Sequence, residues 1–411
     1  MSKPVYILGG AQTDFTSHIT REEGDLFALF NEGVRSALET CELDASDVQV
    51  GHVGNFVGEL FAGQGLLGGF FGHVDPGFRG MPASRHEGAC ASGSLAAMAA
   101  MADIESGRYD VACVAGIELM RNVPGRQAAD HLGAAAWRGA EAQDATYVWP
   151  AMFSQLAEEY DRRYGLRYEH LMEISRTNFA NAKRNPFAQT REWGFTDESF
   201  TASDEANPVI EGWMRRQDCA QVTDGAAVIF LASEGYAEHY AHRRGLKMSD
   251  LARIDGWGHT TSPIKLETKL SDSQSSDYIF PMVRKAITDA YARAGISGPE
   301  ELDAIETHDC FSITEYMAIE HFGLTAPGEG WKAIEEGRIA RDGALPVNPS
   351  GGLIGLGHPV GATGVRMLLD GWKQVTERSG ETQVEGAKRV GTYNVGGSAT
   401  TNCSFVVSRA A

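Results

Sequence analysis

At 411 residues the chain is long enough for roughly two or three ordinary domains with large buried cores, which excludes a small disulfide-stapled fold. Its 36 basic against 55 acidic residues leave a net charge of −19, a sign that repels nucleic-acid backbones and anionic membrane surfaces. No run of eighteen charge-free apolar residues offers a membrane span or an export signal.

The opening Val5-Tyr6-Ile7-Leu8-Gly9-Gly10-Ala11 reads as a buried strand entering a glycine turn, and Leu26, Leu29, Phe30, Val34 and Leu38 recur at helical spacing over residues 25–40. A strand is expected within residues 48–57, then a glycine-rich loop at 63–69, then Glu87-Gly88-Ala89-Cys90-Ala91-Ser92-Gly93-Ser94 leading into a small-residue helix that runs to Ser106. Val111 to Gly116 is the next strand, so strands and helices alternate as in layered α/β folds. Residues 121–217 differ in character and predict a mostly helical insertion, with helices at 152–164 and 171–185 and a break at Asn185-Pro186-Phe187. The layered pattern resumes with the strand Ala226 to Ala232 and a helix over 278–294. A second unit then follows: a strand at 304–307, a glycine-rich loop, a small-residue helix after His358, and a closing strand near 390–394. The two units read as a degenerate repeat that sets Cys90-Ala91-Ser92-Gly93-Ser94-Leu95 beside His358-Pro359-Val360-Gly361-Ala362-Thr363. Packed together, they would bring a thiol and an imidazole into one central layer.

Six cysteines (Cys41, Cys90, Cys113, Cys219, Cys310, Cys403) are scattered without a Cys-x-x-Cys pair or a histidine cluster at zinc-ligand spacing, so free thiols and no metal are expected. Cys90 heads a helix, where the positive end of the dipole is expected to lower its pKa. His358 sits in Gly351-Gly352-Leu353-Ile354-Gly355-Leu356-Gly357, a loop whose glycines are expected to exclude helix and present the ring to a substrate; imidazole there can take a thiol proton. His308 and Cys310, in His308-Asp309-Cys310-Phe311-Ser312, follow a strand end, where function commonly sits. Asn394-Val395-Gly396-Gly397-Ser398 is a strand-to-turn glycine pair expected to aim a backbone N–H, that of Gly396, at the reaction centre.

In order and spacing these segments resemble the thiolase family over essentially the whole chain. Glu87 to Gly93 looks like its nucleophile loop, Gly357-His358-Pro359 like its histidine motif, and Asp224-Gly225-Ala226-Ala227 like the strand entrance closing its first core half. His308-Asp309-Cys310-Phe311 and Asn185-Pro186-Phe187-Ala188-Gln189 resemble the sterol-carrier or lipid-transfer branch. The stretch Asn394-Val395-Gly396 departs from the Cys-x-Gly of other thiolases, so the resemblance assigns the acid/base thiol to Cys310.

The resemblance implies a duplicated five-layered αβαβα core: residues 1–120 with 218–262 form one half, 121–217 an inserted loop domain, and 263–411 the other half. It implies acyl transfer through acyl-Cys90 in lipid metabolism such as fatty-acid β-oxidation. The catalytic set would be Cys90, His358, Cys310 and His308, with Asn394 and Gly396 at the oxyanion and substrate site. Coenzyme A would be a co-substrate, with no permanently bound cofactor. A homodimer or homotetramer is implied, and a small OB-fold partner protein is an option. The chain ends Arg409-Ala410-Ala411 without a peroxisomal tripeptide, and a cytoplasmic, stand-alone enzyme is expected. Arg176, Lys183, Arg184 and Arg191 are candidates for a local coenzyme A patch. The alternatives are a partner-dependent acyltransferase or ketosynthase, an aldolase-type subunit, and a non-catalytic lipid binder.

Overall fold

The computed structural model describes residues 3–410. In chain order the principal elements are β1 (Val5–Gln12), α1 (Leu26–Cys41), β2 (Val50–Gly54), β3 (Ala83–His86), α2 (Ser92–Glu105) and β4 (Val111–Glu118). Helices α3 (Gly125–Leu132), α4 (Val148–Tyr164) and α5 (Tyr168–Ala182) follow, with a short hairpin of β5 (Val209–Glu211) and β6 (Met214–Arg215). The chain then continues through β7 (Gly225–Ser233), α6 (Glu234–Arg244), β8 (Ala252–Thr261), α7 (Pro281–Ala294), β9 (Ala304–Thr307), α8 (Ser312–Phe322), α9 (Thr363–Val375), β10 (Arg389–Gly396) and β11 (Thr401–Arg409).

Nine strands pair in the order β3-β2-β4-β7-β1-β8-β11-β10-β9. The two halves of this order meet at a short antiparallel seam, Val5 to Ile7 against Ile254 to Ala252. Every residue of β4 is buried, and its sequence Val-Ala-Cys-Val-Ala-Gly-Ile-Glu shows why: a strand covered on both faces needs no polar alternation. Helix α1 covers one outer face with Leu26, Leu29, Phe30 and Val34. Helix α7 covers another, where Gly256 and Gly258 of β8 admit it so closely that a Cβ at Gly258 would fall 1.8 Å from the Ala286 carbonyl oxygen.

Between the halves lie α2 and α9. A Cβ at Gly93 would stand 2.8 Å from the carbonyl oxygen of Gly361 and 2.9 Å from the nitrogen of Val365, so the small residues of α2 let the two helix starts touch. The thiol and imidazole expected to share a central layer are therefore brought together by backbone contact.

Element ends shift from the sequence expectation for local reasons. Helix α4 begins at Val148, because Pro150 is tolerated in the first turn. Helix α5 stops at Ala182, three residues before Asn185-Pro186. The loop expected to exclude helix instead winds as one wide turn over Gly352–Leu356. Its free amides at Leu353 and Ile354 donate to the Asp309 carboxylate at 2.5 and 3.1 Å. No helix among the described residues is long and apolar enough to cross a membrane.

Candidate active site

Cys90 lies in a single tight turn, Ala89–Ala91, immediately before α2, and Ala89 adopts a left-handed φ of 51°. The Cys90 sulfur and one ring nitrogen each of His308 and His358 lie within 4.8 Å of one another. The two imidazoles meet edge to face, with ring centroids 5.1 Å apart and planes at 89°.

The hydrogen bonds assign each ring its tautomer. Thr363 Oγ1 lies 3.1 Å from the Pro359 carbonyl and 2.7 Å from Nδ1 of His358; because the carbonyl can only accept, a hydroxyl proton directed to it leaves the ring to donate from Nδ1. His358 therefore carries its proton on Nδ1, and Nε2, without a partner among the described residues, is a bare acceptor. The opposite holds for His308. The Asn394 amide accepts from the Ser94 hydroxyl at Oδ1 (2.7 Å) and donates from Nδ2 to the Cys90 carbonyl (3.1 Å). That orientation presents Nδ2 as donor to Nδ1 of His308 at 3.0 Å, leaving the His308 proton on Nε2, which has no partner among the described residues. One base and one acid thus stand beside one thiol. A metal ion fits the spacing of the three groups, but ligation by His308 Nε2 would move its proton to Nδ1, against the Asn394 amide donor.

Burial sets the charges. The Cys90 thiol is pushed up to about 12 by desolvation, against the pull of the Gly397 and Cys90 backbone N–H groups that face the sulfur. The helix-start lowering expected from sequence is overridden, because desolvation of a thiolate exceeds the field of a helix end. His358, expected in an open loop, is only 8% exposed, and burial followed by the Arg366 charge pulls it down to about 3. Burial, the nearby His358 and Arg366 hold His308 well below the usual imidazole range. Cys310 is driven well above the thiol range by burial, then by the Cys90 and Asp309 charges. At neutral pH Cys90, Cys310, His308 and His358 are therefore all uncharged.

Residues from distant parts of the chain hold this geometry. Arg366, wholly buried, donates to Glu306 (2.8 Å), Asp370 (2.9 Å) and Ser350 (3.0 Å). Asn178, Asn181 and Asn185 donate to Asp309, to the Asn348 carbonyl and to the Ser350 carbonyl, tying the insertion to the segment that delivers His358. Glu118 accepts from the amides of Phe56 (2.9 Å) and Gly361 (3.0 Å), bridging both halves. Lys269 donates to Ser398 (2.7 Å) and Thr400 (3.0 Å), clamping the turn that carries Gly397.

The N–H of Gly397, whose φ is 64°, pulls the Cys90 thiol pKa down, while Gly396 stands opposite Thr401 in the ladder with the Gly88 carbonyl oxygen 2.0 Å from where a Cβ would lie. None of the four basic candidates lines the cavity at Cys90. Arg176 pairs with Asp197, while Lys183, Arg184 and Arg191, the last paired with Asp14, border a separate cleft. Ser94 and Thr363 join the site through partners that only the fold supplies, Ser94 through Asn394 from 300 positions away and Thr363 through His358 across one turn.

The cavity at Cys90 encloses about 220 Å³ and is walled by Phe56, Met120, Leu132, Trp149, Phe153 and Phe311, with Cys90, Cys219, Cys310 and His358 as its reactive or polarisable groups. Cys41, Cys113 and Cys403 are buried elsewhere in the core.

The thiolase N-terminal domain profile matches residues 5–199 and the thiolase C-terminal domain-like profile matches residues 265–409. The chain belongs to the thiolase family. An acetyl-CoA acetyltransferase of Methanothermobacter thermautotrophicus is 30% identical over 99% of this chain and 100% of its own length. Human sterol carrier protein 2 is 28% identical over 95% of this chain and 70% of its own length. Among solved structures, an Ltp2-ChsH2(DUF35) aldolase superposes with a TM-score of 0.75 at 21% identity, over 99% of this chain and 98% of that one; the likeness is one of fold.

Proposed function

We propose that the protein transfers acyl groups between coenzyme A thioesters through an acyl-Cys90 intermediate, by thiolytic cleavage of 3-oxoacyl-CoA or, reversed, by Claisen condensation. The observation that carries this reading is the bare His358 Nε2 and the protonated His308 Nε2 beside one thiol. In the cleavage direction His358 takes the Cys90 proton as the sulfur attacks the β-keto carbon. The oxyanion accepts hydrogen bonds from His308 Nε2 and from the newly protonated His358. Neither charge is favourable alone in this buried site, but thiolate and imidazolium form together and stabilise each other.

Collapse of the adduct breaks the bond between the α- and β-carbons, leaving the acyl group on Cys90 and the electron pair on the departing thioester enolate. The N–H groups of Gly397 and Cys90 stabilise that enolate, and the Cys310 thiol protonates its α-carbon. Coenzyme A then gives its thiol proton to Cys310 and attacks the acyl group, and Cys90 recovers its proton from His358. With this reading go a homodimer or homotetramer, a cytoplasmic location, and the division into two core halves with residues 121–217 inserted.

Intact-mass and peptide mapping after mixing with an acyl-CoA tests the assignment: one acyl group on Cys90 supports it, and acylation elsewhere or nowhere rejects it. A second reading, a retro-aldol subunit working with a small OB-fold partner, draws on the fold likeness to the aldolase. Cleavage of a 3-hydroxyacyl-CoA that appears only with a co-purified partner and survives Cys90→Ala would favour it.

A further inference from the structure

The cavity at Cys90 closes inward. Val222 at its mouth is 36% exposed, whereas Phe311 and Phe153 at its floor are 7% and 4% exposed. The two floor rings stack with centroids 4.5 Å apart at 23°. A second, smaller space of about 20 Å³ is bordered by Phe153 together with Leu156, Met317, Tyr393, Val395 and Ala399. Among the described residues Phe153 alone borders both spaces. Phe153, on helix α4 of the insertion, is thus the side chain the two spaces have in common.

We propose that Phe153 ends the acyl-binding cavity and sets the upper acyl length of the substrate; the inference rests on the acyl-Cys90 reading. An acyl chain bound to the Cys90 sulfur extends into an apolar space, and each methylene that fits an apolar pocket is worth about tenfold or more in discrimination. A chain that reaches the Phe153 ring meets a floor braced by Phe311, in a close-packed interior that yields little. Removing the ring joins the two spaces and lengthens the cavity along the same line.

The test is kcat/KM across a straight-chain series from acetoacetyl-CoA to 3-oxopalmitoyl-CoA. The parent profile is expected to fall off at an intermediate length. Phe153→Ala should move that fall-off to longer chains and raise the ratio of long-chain to short-chain kcat/KM by about tenfold or more. Phe153→Leu, which keeps more of the packing, should shift it the same way by less, and stands in if the alanine variant does not fold. Phe153→Trp should shorten the accepted chain. Shortened and unshortened profiles that run parallel among variants still acylated at Cys90 would overturn the inference, as would a parent profile flat to the longest substrate. If no acyl-CoA acylates Cys90 in the parent, the underlying reading fails instead, and this inference with it.

Discussion

Asn394 donates a side-chain proton to Nδ1 of His308 across 3.0 Å, and that bond decides which edge of the imidazole carries a proton into the site. The same amide nitrogen holds the Cys90 carbonyl, so Cys90 and His308 are registered by one side chain. Asn394→Ala should lower kcat by about 10²-fold, the usual cost of losing one oxyanion donor. Steady-state kinetics with nitrogen NMR of His308 checks it; an unchanged kcat, or a His308 still protonated on Nε2, contradicts it.

A neutral resting pair makes a statement about pH. With Cys90 pushed up to about 12 and His358 pulled down to about 3, the thiolate fraction of the free protein grows as pH rises. Alkylation of Cys90 by iodoacetamide should therefore accelerate steadily between about pH 7 and pH 10. A plateau beginning near neutrality would reveal a preformed thiolate–imidazolium pair.

Cys310 borders the cavity and sits close enough for the Cys90 charge to raise its own pKa. Cys310→Ala should still be acylated at Cys90 by an acyl-CoA, yet turn over about 10²- to 10⁴-fold more slowly for want of the acid. Equal steady-state rates for variant and parent would remove Cys310 from the mechanism.

Glu118, wholly buried, is raised to about 7 by desolvation, against the amides of Phe56, Val57 and Gly361. Its folded pKa lies above its unfolded one, so its stabilising contribution is complete below about pH 4.5 and fades as pH rises through about 7. Glu118→Gln has no such titration. The stability gap between parent and variant, read by urea unfolding, should shrink by about 1–3 kcal/mol from pH 4.5 to pH 8; a gap that widens reverses the sign and defeats the argument.

Gly93→Ala would drive a Cβ to within 2.8 Å of the Gly361 oxygen. Backbone on both sides leaves little room to yield, so about 1–3 kcal/mol of stability should be lost. Acylation of Cys90 should slow as the two helix starts separate. A thermal melt that matches the parent's would show the contact to be slack.

Much of the site was legible from composition and order. Cys90 after a glycine turn, His358 before Pro359, and His308 with Cys310 at a strand end are local patterns, and the strand–helix alternation announced a layered α/β core in two related units. Tertiary structure alone decided the protonation of the site. Ser94 and Asn394 are separated by 300 positions, and His358 and Thr363 face each other only across the turn that enters α9. Burial, which raises the thiol and silences both imidazoles, is a property of the packed halves and not of any segment. The Gly397 N–H that lowers the Cys90 pKa has the same origin: it acts between distant parts of the chain, which a glycine pair alone does not disclose. Residue types and their order are written locally, whereas which nitrogen holds a proton and which amide meets a thiol depend on neighbours that only folding supplies.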